Sequence, residues 1–176
     1  MDDVCNAAQR RAAGFTLVEL LVAIAVLALS IYSIQSFAEL MAAASQRAAR
    51  QELKALLASA RQEAVMRNQR LTLCRAQGAD QCAGDALAGS YEWSSVLLFV
   101  DQDQDRLYSA SSDQLLRHVQ MPENMTIYWN RGEAISYEPD GTVTGYSNGT
   151  FTLSFDEGPD CLVVLALSGR IRESCS

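Results

Sequence analysis

From Phe15 to Phe37 the chain reads FTLVELLVAIAVLALSIYSIQSF, with Glu19 as its only charged side chain. Apolar positions fall on every side of a helix drawn through this run. At 1.5 Å per residue such a helix is about 34 Å long, enough to cross a hydrocarbon core of about 30 Å. From 38 to 70 the pattern turns amphipathic. Ala, Leu, Gln, Glu and Arg dominate, all good helix formers, and Leu53, Leu57, Ala60 and Ala64 recur on one helix face. Glu63 and Arg67 stand four apart in the favourable order. Neither Gly nor Pro occurs from Phe15 to Gln77, and the first Pro is Pro122. The pattern predicts one helix from about Phe15 to about Arg70. Its second half carries a narrow apolar stripe that needs a partner.

After Leu71 the period shortens to that of strands. Candidate runs are Leu71–Arg75, Tyr91–Val100, Gln114–Val119, Thr126–Trp129, Ile135–Tyr137, Thr150–Phe155, Leu162–Leu167 and Arg170–Glu173. Turn signals separate them, among them Pro139-Asp140-Gly141, Ser147-Asn148-Gly149, Gly158-Pro159-Asp160 and Ser168-Gly169. Short strands at close spacing predict an antiparallel sheet, one face of which covers the stripe on 53–64. The expected class is α+β, a ladle in which a long N-terminal helix packs its outer half on a β-rich head.

Composition adds two exclusions. Of the 176 residues 49% are apolar and 20% charged, which excludes a disordered chain and a multi-span membrane protein. The net charge of -7 is unevenly spread: residues 1–14 are neutral, 15–70 carry +2 and 71–176 carry -9. An acidic head repels nucleic acid and anionic lipid alike. The single histidine, His118, lies beside Arg117 with no nucleophile motif near it. No Gly-rich phosphate loop follows a strand and no H-E-x-x-H occurs. The expectation is a protein without enzymatic activity and without a cofactor.

The run Arg10-Arg11-Ala12-Ala13-Gly14-Phe15-Thr16-Leu17-Val18-Glu19, followed directly by an apolar span, resembles the processing site of type IV pilins and pseudopilins. The resemblance implies that a prepilin peptidase cuts between Gly14 and Phe15 and methylates the new amine of Phe15. It implies that Glu19 meets the N-terminal amine of a neighbouring subunit during assembly. Physical reasoning agrees with both. Arg10 and Arg11 ahead of the span keep the N-terminus cytoplasmic and the head periplasmic. A carboxylate inside a membrane helix costs about 2.5–3.5 kcal/mol, so it calls for a partner.

The head is similar to the GspH/FimT class of pseudopilins and minor pilins. The resemblance rests on Trp93-Ser-Ser-Val-Leu-Leu-Phe99-Val-Asp101 with Asp103 and Asp105 after it, and on Leu115-Leu116-Arg117. It also rests on Pro139-Asp140-Gly141, Asn148-Gly149-Thr150-Phe151, and the ending from Cys161 through Gly169-Arg170-Ile171-Arg172 to Cys175. Four segments follow: a leader over 1–14, a transmembrane half-helix over 15–37, an amphipathic half-helix over 38–70 and a periplasmic head over 71–176. The implied role is a minor pilin that primes or caps a type IV pilus at its tip. The alternatives are a minor pseudopilin of type II secretion and a DNA-binding minor pilin. Partners would be other pilins or pseudopilins through the helix, the peptidase and the inner membrane.

Three smaller features remain. Loss of the leader removes Cys5 and leaves Cys74, Cys82, Cys161 and Cys175 on the oxidising side. Four cysteines allow three pairings, of which proximity favours Cys74–Cys82 and Cys161–Cys175. Zinc is disfavoured, since no C-x-x-C occurs. Asp101-Gln102-Asp103-Gln104-Asp105 has the 1, 3, 5 spacing of a calcium loop, but Arg106 replaces the glycine at the sixth position and Ser112 stands where the bidentate Glu belongs. An acidic turn is the plainer reading. Arg170 and Arg172 resemble a segment used for DNA binding by some FimT-type pilins, and on a strand both would face one side. The plainer reading there is a final strand whose arginines pair with neighbouring carboxylates.

Overall fold

A computed structural model describes residues 16–156 and 158–175, apart from the side chains of 32–36, 38 and 39. The basic pair Arg10–Arg11, the cleavage site at Gly14–Phe15 and Cys5 lie outside the described residues. The chain divides into two compact units, 1–41 and 42–176.

In the first unit the described residues are helical from Leu17 on. Helix α1 (Leu17–Arg67) begins after Thr16, whose Oγ1 accepts the N–H of Glu19 at 3.2 Å and so caps one of the free donors of the first turn. From Leu17 to Ile31 every residue is exposed, the large apolar side chains included. Among the described residues no helix is long and apolar enough to cross a membrane. The run read as a membrane span, 15–37, takes in Phe15 and the side chains of 32–36, which lie outside the description.

In the second unit α1 is amphipathic. Ala49, Leu53, Leu56, Leu57, Ala60 and Ala64 are buried on one face, and the small alanines let the sheets approach the helix closely. The helix stops at Arg67 rather than near Arg70 because Asn68 turns left-handed (φ 53°). Gln69 then donates its N–H to the Ala64 carbonyl at 3.2 Å. Arg70, now outside the helix, pairs with Glu138 at 2.6 Å.

The strands are β1 (Leu71–Arg75), β2 (Tyr91–Glu92), β3 (Ser95–Val100), β4 (Gln114–Gln120), β5 (Met125–Trp129), β6 (Ala134–Tyr137), β7 (Gly149–Phe155), β8 (Cys161–Leu165) and β9 (Ile171–Cys175). They form two antiparallel sheets, where one was expected. The first has the order β4-β3-β1-β6 and the second β2-β5-β7-β8-β9. The expected run Tyr91–Val100 is where they part. Trp93 donates its N–H to Ile127 at 2.8 Å, so Tyr91–Glu92 stays with β5. Ser95–Val100 crosses to pair with β1 and β4.

One core lies between α1 and the inner faces of both sheets. It takes Leu71, Leu73, Val96, Leu98 and Val100 from the first sheet, and Ile127, Trp129, Phe151, Leu153 and Val163 from the second. A smaller core covers the other face of the first sheet. There Cys74, Leu97, Phe99 and Ala134 pack with Cys82, Tyr108 and Leu115. Because successive residues of a strand point to opposite faces, two cores explain why β1 and β3 are buried on both faces, the polar Thr72 and Ser95 included.

Candidate functional site

The last hairpin positions the arginine tail. Strand β8 ends at Leu165, the N–H of Gly169 donates to the Ala166 carbonyl at 2.9 Å, and Ala166 donates to Arg170 at 3.0 Å. Arg170 therefore sits at the mouth of the turn, ahead of β9, and only Arg172 is on a strand, opposite Val164. The strand expected over Arg170–Glu173 thus begins one residue later, at Ile171. Gly169 is buried with φ +71°. A Cβ there would lie 2.2 Å from the Gly141 carbonyl oxygen, so only glycine fits. The same carbonyl accepts the Arg61 Nε–H at 2.8 Å.

Both arginines line one groove of about 660 Å³, with Ala58, Arg61, Val65, Met66 and Ile171. Neither has a carboxylate within ion-pairing distance among the described residues. The carboxylate that follows them in sequence is engaged elsewhere. Glu173 meets Lys54 at 2.5 Å and Arg50 at 2.9 Å, which ties β9 to α1. The bond from Lys54 is the main reason its carboxyl is held below the ordinary range, with Arg50 acting in the same sense.

The cysteines form two disulfides, Cys74–Cys82 and Cys161–Cys175. The first clips the covering loop onto the smaller core. The second joins facing residues of β8 and β9.

The acidic loop differs most from its linear reading. One carboxylate oxygen each of Asp101, Asp103 and Asp113 lie within 4.8 Å of one another. Asp105 is not in the group; its Oδ1 accepts the Leu107 N–H at 2.7 Å. Asp113 takes its place because the loop folds back. Its Oδ1 accepts from the Gln102 N–H at 3.0 Å and its Oδ2 from the Ser109 N–H at 2.9 Å. Asp101 is only 2% exposed. One of its oxygens accepts the Thr72 hydroxyl at 2.7 Å, and Oδ1 is buried without a hydrogen-bond partner among the described residues. Burial pushes the Asp101 carboxyl up, against the bond from Thr72. Arg106 takes φ +71°, the left-handed form that glycine usually supplies. Sequence reading missed Asp113 because it sits one position beyond the twelfth, on the far side of a serine-rich turn. In the first unit, Glu19 is exposed in the first turn of α1 among apolar neighbours.

Comparison with known proteins agrees with this architecture. Residues 49–169 match the family described as type II transport protein GspH, and residues 9–31 match the prokaryotic N-terminal methylation motif. The chain belongs to the GspH family. Membership and motif together imply a membrane-anchored pilus or pseudopilus protein, and the family is a structural one. No curated protein matches the chain. Two crystal structures of the type IV minor pilin FimU from Pseudomonas aeruginosa PAO1, in space groups P65 and P21, are similar in fold. Each has a TM-score of 0.53 at 19% identity and covers 73% of this chain, with 91% and 87% of the FimU chains matched.

Proposed function

We propose that this protein is a minor pilin that joins a type IV pilus at its tip and primes or caps assembly there. The observation that carries the reading is the first stretch of α1: apolar side chains exposed on all faces, with Glu19 as the single charge from Leu17 to Ile31. Such a helix needs lipid before assembly and other apolar helices after it. Glu19 meets the terminal amine of the adjoining subunit and sets its register. The prepilin peptidase releases residues 1–14, the new N-terminus at Phe15 is methylated on the cytoplasmic side, and the head stands in the periplasm. The likeness to the minor pilin FimU and the cystine-closed arginine tail favour a pilus over a secretion pseudopilus. The mature mass should correspond to loss of residues 1–14 plus one methyl group. A Glu19→Ala variant should be processed normally yet enter filaments at least about tenfold less well, a barrier of about 1.4 kcal/mol or more. A deletion that stops exoprotein secretion but leaves twitching intact would transfer the protein to the secretion system.

A second reading, DNA binding through the tail, is favoured by the two arginines that lack carboxylate partners among the described residues. Two phosphate contacts give weak, salt-sensitive binding. Duplex DNA should shift at low salt with the wild type and not with Arg170→Ala/Arg172→Ala; no shift with the wild type removes this reading.

A further inference from the structure

We propose that Asp101, Asp103 and Asp113 hold a calcium ion. The inference rests on the head alone and is independent of which filament the protein enters. Two observations carry it. First, oxygens from three carboxylates converge within 4.8 Å of one another. Two oxygens on opposite sides of one calcium ion, each at about 2.4 Å, span that distance. Without a cation, three like charges brought this close repel one another. Second, Asp101 in this group is almost fully buried, and its Oδ1 has no hydrogen-bond donor among the described residues. Burying an unpaired carboxylate oxygen is costly, and a cation on that oxygen removes the cost.

The surrounding charges leave room for a cation. Arg70, the nearest cation from the helix end, is engaged by Glu138 at 2.6 Å. Arg106 also acts on Asp101, but its Nη2 donates to the Ala134 carbonyl at 2.5 Å and it makes no ion pair with Asp101. The carboxylates are already oriented. Thr72 holds Asp101, the N–H groups of Gln102 and Ser109 hold both oxygens of Asp113, and the Asp105 N–H approaches Asp103 Oδ1 at 3.4 Å. Each oxygen keeps a lone pair for the ion. An all-carboxylate set with flexible geometry suits calcium, whereas magnesium keeps its water and demands an octahedron. Both departures from the calcium-loop pattern are met in space. Arg106 adopts the left-handed turn of the missing glycine, and Asp113 supplies the carboxylate that Ser112 lacks.

The test is calcium chloride added to the full chain, purified in detergent and stripped with a chelator. Calorimetry should show saturable binding. At about twenty times Kd the melting temperature should rise by about 4–8 °C. Asp103→Asn and Asp113→Asn should each weaken binding at least about tenfold. Asp103 is exposed, so its variant should melt within about 2 °C of the wild type when calcium is absent. Absence of both heat and melting shift in the wild type overturns the proposal. So does a calcium response that survives in the Asp103→Asn/Asp113→Asn double variant, or an equal response to magnesium chloride.

Discussion

Trp129→Ala should cost the head about 3–5 kcal/mol, a large part of the 5–15 kcal/mol that holds a typical domain folded. Trp129 is fully buried in the main core, and its ring centroid lies 4.3 Å from that of Phe151 on the neighbouring strand. Trp93 meets the same Phe151 edge-on at 5.7 Å. Truncation therefore removes one end of a three-ring cluster centred on Phe151, where the surrounding strands cannot collapse into the space. The indole nitrogen of Trp129 is buried without a hydrogen-bond partner among the described residues. Trp129→Phe should consequently lose only part of the packing, about 1–2 kcal/mol, because no hydrogen bond goes with the ring. Denaturant unfolding of both variants checks this. A loss below about 1 kcal/mol for the alanine variant would show that the core does not depend on the stack.

The second large effect concerns the Cys161–Cys175 bridge. Opening it with Cys161→Ala/Cys175→Ala should cost about 3 kcal/mol, the chain-entropy value for a loop of about 15 residues. Cys161 is fully buried and Cys175 is exposed at the end of an edge strand. The damage should therefore be polarised. Amide protection along Ile171–Cys175 should fall well before that of β5 and β7, and the Glu173 pairs with Arg50 and Lys54 should loosen with it. Hydrogen exchange reads the first effect and the unfolding midpoint the second. An unchanged midpoint together with unchanged protection of β9 would refute the prediction.

Much of this architecture is written in local pattern. The helix is legible because Gly and Pro are absent for more than sixty residues and because 53, 57, 60 and 64 share a face. Its end is less so, since Asn68 stops it through a backbone angle that composition does not dictate. Most strands begin and end within a residue or two of the apolar runs that mark them. The division into two sheets is invisible locally: Trp93-Ser94 contains no breaker, and the decision is made by the bond from Trp93 to Ile127, far along the chain. The sites follow the same rule. Asp101 and Asp103 could be suspected from their spacing, whereas Asp113 joins them only because the loop returns. Glu173 directly follows Arg172, yet it pairs with Lys54 and Arg50, more than a hundred positions away.

The ends of the two sheets bear on a hazard that any β-rich domain faces, uncontrolled polymerisation by strand addition. The four outermost strands are β4, β6, β2 and β9. Each is a poor template. Strand β2 has only two residues and β6 four, and β6 is followed by a bridge from Tyr137 to Val143. Strand β4 carries Arg117, which pairs with Glu63 of α1, and the exposed His118. Strand β9, the most open of them, carries Arg172 and Glu173 and is pinned at its far end by a cystine. The head is thereby protected against amyloid-like growth, so that any ordered association it makes has to come from side-chain packing, where position and number can be controlled.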